Sequence, residues 1–184
     1  MGARAAILAG MMVKNTFFGH LVHIVALACL LFAGSAKAAD ASTAAPFFAA
    51  ALHDTNDRPV ALAVYQGKPL VLNFWARWCV PCRKEIPELI KARAKFKGRG
   101  AELLGIGLED DAAAVREFAR TLAIDYPLLL AKSDAIGLMQ ALGNVQAGLP
   151  FTLAVDRHGN IVYRKLGVLS ATDADAAFAA ALKP

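Results

Sequence analysis

A pair of cysteines stands where an apolar strand is followed by a helix, and this arrangement constrains the fold more than any other feature. Residues 70–75, Leu-Val-Leu-Asn-Phe-Trp, are apolar and rich in β-forming types, which predicts a buried central strand. From Pro81 onward apolar residues recur at helical spacing. Cys79 and Cys82 therefore lie at the predicted N-terminus of a helix.

That position favours thiol chemistry. The first turn of a helix exposes unpaired N–H groups and the positive end of the helix dipole, and both stabilise the thiolate of Cys79. Cys82 lies one turn further in, where it can displace a mixed disulfide from the first cysteine. The pair predicts thiol–disulfide exchange, with Cys79 as the nucleophile and no cofactor or metal beyond the redox-active disulfide itself.

Other uses of the pair stay open. A zinc site needs about four ligands, but after residue 38 the chain offers only His53 and His158 besides the two cysteines, and both histidines lie in predicted turns. A purely structural disulfide is disfavoured, because a four-residue loop constrains the unfolded chain little. A copper-binding module that uses the two thiols is a further alternative.

Residues 1–38 carry the pattern of an export signal. They hold three of the 20 Lys and Arg residues and none of the 15 Asp and Glu residues, with an apolar run over 21–33 and an Ala-Lys-Ala end. This is typical of a secretory signal peptide, and we expect cleavage after Ala38. An uncleaved membrane anchor stays open, because residues 17–34 are just long enough to cross a bilayer.

Removal of that segment changes the charge and the cysteine count. The remaining chain has 17 basic and 15 acidic residues, so the net charge falls from +5 to +2 and gives no support for nucleic-acid binding. Cys29 lies in the apolar run and would be lost with it. Two cysteines then remain, an even number in an oxidising compartment, which fits a periplasmic location.

The stretch 73–87, Asn-Phe-Trp-Ala-Arg-Trp-Cys-Val-Pro-Cys-Arg-Lys-Glu-Ile-Pro, resembles the active-site segment of the TlpA/ResA-like family of thioredoxin-fold thiol–disulfide oxidoreductases. The likeness extends over 47–184, which we expect to form one domain after a linker at 39–46. It implies an α/β thioredoxin-like fold with a central mixed sheet flanked by helices. No metal is implied.

The resemblance also identifies a substrate-binding surface. Gly148-Leu149-Pro150 precedes a predicted strand, as does the family's cis-proline, which lies beside the first cysteine. In the family, the backbone before that proline pairs with an extended substrate segment. The expected substrate-binding residues are Trp78, Val80, Pro81, Leu149 and Pro150.

Glu85 is the third expected catalytic residue. Relatives carry a glutamate three residues after the second cysteine, and this spacing places Glu85 on the helix face of Cys82. It is expected to tune the thiols or carry a proton from a partly exposed position. Thioredoxin itself has a buried aspartate where this chain has Asn73, which cannot accept a proton at neutral pH. Phe151 departs from the family, in which a threonine often follows the proline.

By resemblance, the chain is expected to reduce disulfides in exported proteins, in the periplasm, either free or tethered to the inner membrane. A membrane thiol donor of the DsbD type would regenerate the dithiol, and cytochrome c maturation or oxidase copper-site assembly are the pathways implied. A DsbA-like thiol oxidase is the alternative enzyme. The Val-Pro dipeptide between the cysteines is more similar to reductases than to strong oxidants.

The remaining pattern predicts how the domain is built. We expect an N-terminal β-hairpin from 47–52 and 59–64, then a strand, the helix of the cysteines stopped by Gly98, a strand at 101–107 and a helix at 111–122. A short strand at 126–131, a helix at 133–142 capped by Ser133, a hairpin over 151–163 and a closing helix at 172–182 complete it.

Overall fold

The structure is a computed structural model that describes residues 42–184. The predicted leader, its cleavage site after Ala38 and residues 39–41 of the predicted linker lie outside the described residues. The strands are β1 (His53–Asp54), β2 (Leu70–Trp75), β3 (Glu102–Gly107), β4 (Leu128–Leu130), β5 (Phe151–Val155) and β6 (Ile161–Leu166). The helices are α1 (Ala45–Phe48), α2 (Val80–Phe96), α3 (Ala112–Thr121), α4 (Ala135–Ala141) and α5 (Ala171–Ala181), and 3-10 turns cover Leu62–Tyr65, Lys97–Arg99 and Lys132–Asp134.

The strands form one mixed sheet in the order β1-β4-β3-β2-β5-β6. β2 pairs in parallel with β3, and β3 with β4, whereas β1–β4, β2–β5 and β5–β6 are antiparallel. The predicted central strand is confirmed as β2, which has neighbours on both sides. The predicted mixed sheet flanked by helices is confirmed as well.

β2 is buried along its whole length because helices cover both faces of the sheet. Its side chains alternate between the faces. Leu72 and Phe74 pack in the cluster that includes residues of α1 and α4, whereas Val71 and Trp75 pack in the cluster that includes residues of α2, α3 and α5. Asn73 lies between Leu72 and Phe74 in sequence and therefore faces α2 and α5.

The helix of the cysteines begins and ends on identifiable residues. Cys79 is the N-cap in an extended conformation, and Pro81 occupies the first turn, where its missing N–H costs nothing. The prediction that Gly98 stops the helix is wrong, because the α-helix already ends at Phe96. The chain continues from Phe96 through a 3-10 turn to Gly100, whose φ of 88° is the left-handed conformation that glycine adopts without strain.

The predicted N-terminal hairpin over 47–52 and 59–64 is not confirmed. The first of these segments holds the end of α1, the second leads into a 3-10 turn, and a single bridge joins β1 to Pro59. β1 instead pairs with β4 at the edge of the sheet. Phe47 and Leu62 are buried in one core cluster, so tertiary burial outweighs the local hairpin signal.

The predicted helix at 133–142 begins later than expected. A 3-10 turn occupies its first residues, and the α-helix runs only from Ala135. Ser133 does not cap it: its hydroxyl lies 3.4 Å from the Asp134 carboxylate and contacts no N–H of the helix. The closing helix, by contrast, begins with a capping box in which Ser170 and Asp173 each bind the other's backbone N–H.

Residues 42–46 of the predicted linker lie against the β5–β6 hairpin. The Ser42 carbonyl accepts a hydrogen bond from the Ile161 N–H at 2.7 Å, and the Ala44 N–H donates to the Gly159 carbonyl at 2.8 Å. Within 42–184, the helices are all too short or too polar to span a bilayer.

Candidate active site

The cysteine pair lies in the turn between β2 and α2 and forms a disulfide. The two Cα atoms are 5.3 Å apart, and the Cys82 N–H lies 3.2 Å from the Cys79 Sγ. Cys79 keeps 4% of its surface exposed, whereas Cys82 is fully buried. The sulfur at the helix N-cap is therefore nearer to solvent, and a backbone N–H of the first helical turn points at it.

A buried carboxylate holds the segment that leads to Cys79. Glu109 accepts hydrogen bonds from the Arg77 backbone N–H at 2.5 Å and from the Arg77 Nε at 3.0 Å. Its side chain is only 5% exposed. The sequence reasoning missed Glu109, although it follows β3 at the sheet edge where the parallel strand β2 also ends. A carboxylate at such an edge, two residues beyond a predicted strand, was the available signal.

An open groove of about 570 Å³ lies beside the disulfide. Trp78, Val80 and Ile136 stand on its rim with 71%, 60% and 56% of their surface exposed. Its lining residues are Trp78, Cys79, Val80, Pro81, Leu108, Ile136, Ala147, Gly148 and Leu149. The fold thus brings four of the five predicted substrate-binding residues together with Cys79, and it adds Leu108 and Ile136, which sequence reasoning did not identify.

Pro150 is the fifth predicted residue, and it lies behind the groove. The Leu149–Pro150 peptide bond is cis. Pro150 is buried at the start of β5, and its carbonyl accepts a hydrogen bond from the Gly167 N–H at 2.8 Å. Residues 147–149 thus line the groove together with residues 78–81, and the next residue, Pro150, is hydrogen-bonded to the segment that follows β6.

Glu85 is fully buried, which corrects the expectation of a partly exposed acid. α2 lies against the sheet, and this carboxylate points inward. Its Oε1 accepts a hydrogen bond from the Asn73 Nδ2 at 2.7 Å, and its Oε2 accepts one from the Leu169 backbone N–H at 2.8 Å. Asn73 also donates to the Thr152 Oγ1 at 2.9 Å. Neither Thr152 nor Leu169 was recognised from the sequence.

Burial dominates the proton affinity of Glu85. Loss of water raises its pKa from 4.5 to about 7, against the opposing effects of the Leu169 N–H, the Asn73 amide and the positive charge of Lys165. The Lys165 Nζ also forms an ion pair with the Asp173 carboxylate at 2.6 Å, so its charge acts on both Glu85 and Asp173. A carboxyl group with a pKa near 7 can both bind and release a proton at neutral pH.

Among residues 42–184, no group of three or more His, Cys, Asp or Glu side chains is arranged to hold a metal ion. His53 and His158, the only histidines in this range, lie on β1 and in the β5–β6 turn.

Three comparisons bear on this geometry. The family profile described as Redoxin matches residues 38–182. The "Thiol-disulfide oxidoreductase ResA" of Bacillus subtilis (strain 168) is 30% identical over 141 residues, which cover 76% of this chain and 74% of that protein. A thiol:disulfide interchange protein of the thioredoxin family from Chlorobium tepidum TLS superposes with a TM-score of 0.63 at 28% identity, over 73% of this chain and 95% of that one.

A secreted Mycobacterium tuberculosis disulfide oxidoreductase, described as homologous to E. coli DsbE, superposes with a TM-score of 0.60. It shares 22% identity over 73% of this chain and 97% of that one, so it supports the fold alone. The Redoxin match over residues 38–182 spans the sheet, the cysteine pair and the groove.

Proposed function

The chain belongs to the Redoxin family and is a thiol–disulfide oxidoreductase of the ResA type, and on that premise we propose that it reduces disulfides in exported proteins. The observation that carries the proposal is the Cys79–Cys82 disulfide at the N-terminus of α2, open to an apolar groove, with the buried carboxyl group of Glu85 three residues after Cys82 on the same helix. No cofactor beyond this cysteine pair is required.

The first step uses Cys79. In the dithiol form Cys79 releases its proton to water, and the thiolate that results is stabilised by the Cys82 N–H and by the dipole of α2. The thiolate attacks one sulfur of a substrate disulfide. A bond forms between the Cys79 Sγ and that sulfur, the substrate S–S bond breaks, and the other substrate sulfur leaves as a thiolate that takes a proton from water.

The second step releases the substrate. The Cys82 thiol gives its proton to the Glu85 carboxylate, and the resulting thiolate attacks the Cys79 Sγ. The Cys79–Cys82 disulfide forms and the second substrate sulfur leaves with the electron pair of the broken bond. Glu85 then passes its proton to the departing thiolate. The substrate gains two electrons and two protons, which the dithiol loses.

The groove positions the substrate for this attack. Trp78, Val80 and Ile136 offer exposed apolar surface on both sides of Cys79. On the opposite wall Asn144 already binds the Ala147 N–H and both the N–H and the carbonyl of Gly148. The Leu149 N–H and carbonyl are therefore the backbone groups that we propose to pair with an extended substrate segment as an added strand. Proteins with accessible disulfides are therefore the proposed substrates.

The proposed setting follows from the leader and the family. Export through residues 1–38, as a cleaved signal or a membrane anchor, would place the domain in the periplasm. A membrane thiol donor of the DsbD type would return two electrons and two protons to the Cys79–Cys82 disulfide. Cytochrome c maturation and oxidase copper-site assembly are the proposed pathways.

The redox potential of the Cys79–Cys82 couple tests the direction of electron flow. Equilibration with glutathione buffers, read from the fraction of alkylated thiols, should give a value nearer the about −270 mV of thioredoxin than the about −120 mV of DsbA. A value near that of DsbA would contradict the reductase and favour the oxidase. A potential that moved on addition of Cu⁺ would instead favour the copper-binding module.

A further inference from the structure

The side-chain amide of Asn73 links Glu85 to the sheet, and only the nitrogen of this amide has hydrogen-bond partners. The Asn73 Nδ2 donates both of its hydrogens, one to the Glu85 Oε1 at 2.7 Å and one to the Thr152 Oγ1 at 2.9 Å. The Asn73 Oδ1 is buried without a hydrogen-bond partner among the described residues. Asn73, Glu85 and Thr152 are each fully buried, so solvent does not satisfy this oxygen.

The second carboxylate oxygen fixes where a proton can sit. The Glu85 Oε2 accepts the Leu169 backbone N–H at 2.8 Å. A carbonyl oxygen is a better acceptor than the O–H oxygen of a carboxylic acid, so this bond favours Oε1 as the oxygen that carries a proton. That oxygen faces the Asn73 Nδ2, which is also a donor. The observed orientation of the amide suits the carboxylate and opposes the carboxylic acid.

We propose that the Asn73 side-chain amide reverses when Glu85 gains a proton, so that Asn73 and Thr152 act as positioning residues for proton transfer at Glu85. With the carboxylate, Nδ2 donates to both partners, as observed. With the carboxylic acid, Oδ1 accepts from the Glu85 O–H and from the Thr152 O–H.

The hydrogen-bonding capacity of the amide and of the threonine hydroxyl allows both orientations of the Asn73 side chain. The amide nitrogen has two hydrogens, the amide oxygen has two lone pairs, and a threonine hydroxyl can accept or donate. Both orientations therefore keep two hydrogen bonds to the same two partners. Asn73 does not itself bind the proton. The reversal keeps the Glu85 Oε1 hydrogen-bonded in both protonation states. It also puts the two Nδ2 hydrogens where Oδ1 now lies without a partner, a cost that the acid state bears.

Neighbouring titratable groups keep their charge while Glu85 changes. Lys165 from β6 is ion-paired with Asp173 from α5; this pairing raises the pKa of Lys165 and lowers that of Asp173 to about 2. Burial raises the pKa of Tyr126, which precedes β4, so this phenol stays neutral. In the oxidised protein Cys79 and Cys82 are bridged and do not titrate. The orientation of the Asn73 amide would thus follow the protonation of Glu85.

The role of this reversal in turnover rests on the proposed function, in which Glu85 takes the proton of Cys82. The reversal itself is a property of the oxidised protein and can be tested without substrate. Failure of the reversal would leave exchange by the cysteine pair intact, and absence of exchange would leave the reversal intact. The two proposals are therefore distinguishable.

Neutron diffraction on the oxidised full chain reads the amide directly, because it separates nitrogen from oxygen and shows deuterium. Crystals would be compared two pH units above and below the pKa of about 7. At the higher pH we expect Nδ2 to face the Glu85 Oε1. At the lower pH we expect Oδ1 to face a deuterium on Oε1. The same Asn73 orientation at both pH values, or no deuterium on Glu85 at the lower one, overturns the proposal.

Thr152 supplies a second test in solution. In Thr152→Val the carboxylate state loses the bond donated by one Nδ2 hydrogen, whereas the acid state loses one of the two bonds that Oδ1 accepts. An unpaired N–H costs more, so the Glu85 carboxyl midpoint, followed by ¹³C NMR in the oxidised protein, should rise by about one unit, a tenfold change in proton affinity.

Two matched variants separate positioning from packing. Thr152→Ser keeps the hydroxyl and should retain the wild-type midpoint even if it is less stable. Thr121→Val removes an exposed hydroxyl bonded to the Glu117 carbonyl on α3 and should leave the midpoint unchanged. An unshifted midpoint in Thr152→Val, or an equal shift in Thr152→Ser, overturns the proposal. Should Thr152→Val not fold, Thr152→Ser and the neutron comparison still decide it.

Discussion

The carboxylate of Glu85 and the side-chain amide of Asn73 lie 2.7 Å apart between α2 and β2, and both residues are fully buried. The contact joins the helix that carries the cysteines to the strand that leads into them. It also leaves an acid inside the protein with a pKa raised to about 7, mainly by loss of water. A group of this kind makes stability depend on pH.

Glu85 should make the oxidised protein less stable as pH rises. Its folded-state pKa of about 7 lies above the unfolded value of 4.5, so the folded chain holds the proton more tightly between these values. The stabilisation is complete below the unfolded pKa and is lost as pH rises through the folded pKa, by up to roughly 3 kcal/mol. Denaturant unfolding across this range measures the loss.

Glu85→Gln should remove that dependence because glutamine does not titrate. The comparison uses the change of the unfolding free energy with pH within each variant. A constant difference in stability caused by the altered hydrogen bonds therefore does not affect it. Glu88→Gln, one turn further along α2 and partly exposed, is the matched control and should keep the wild-type profile. Parallel profiles for wild type and Glu85→Gln would show that folding does not raise the pKa of Glu85.

Glu109→Ala should loosen the segment before Cys79. The substitution leaves the half-buried Arg77 N–H without its acceptor, which costs about 1–3 kcal/mol. Thermal unfolding measures this cost, and disulfide exchange with a protein substrate should slow as well. Glu117→Ala removes an exposed carboxylate paired with Arg120 and should change stability by no more than about 0.5 kcal/mol. Equal losses in the two variants would remove Glu109 from the site.

Ile136→Asp should slow the reaction with protein substrates but not the reaction with small disulfides. It places a charge on the apolar rim of the groove, and loss of the apolar contact should lower kcat/KM for a protein disulfide about tenfold. The rate with a small aromatic disulfide should stay unchanged because Cys79 is untouched. Val162→Asp is the control, an exposed apolar residue on β6 that does not line the groove. A loss shared by both substrates would point to damage at the thiols.

Local sequence signals were sufficient for the elements that form the frame of the site. The apolar run 70–75, the cysteine spacing and the β5–β6 hairpin each depend on nearest neighbours in the chain, and the structure contains all three. The prediction of an N-terminal hairpin was not confirmed, because Phe47 and Leu62 pack against core residues that are distant in sequence. Helix boundaries shifted where a 3-10 turn satisfied the terminal backbone groups instead of the expected cap.

The interior of the site was less accessible to sequence reasoning. Helical spacing placed Glu85 on the face of Cys82, but it did not show whether that face met the sheet or solvent. Burial of Glu85 depends on α5 and on the Leu169 N–H, which lies 84 residues away in sequence. Thr152 contacts Asn73 through the antiparallel pairing of β2 with β5, a register that only the folded sheet defines.

The central claim is that Cys79 attacks and Cys82 resolves, and trapping of mixed disulfides tests it most directly. Reduced single-cysteine variants would be mixed with a disulfide-containing protein and separated without reducing agent. Cys82→Ser should accumulate a covalent complex that dithiothreitol dissolves, because nothing displaces the substrate from Cys79. Cys79→Ser should form little complex, since Cys82 is fully buried. A complex that accumulates in Cys79→Ser and not in Cys82→Ser would contradict the assignment, and sustained turnover by Cys82→Ser would contradict the two-cysteine mechanism itself.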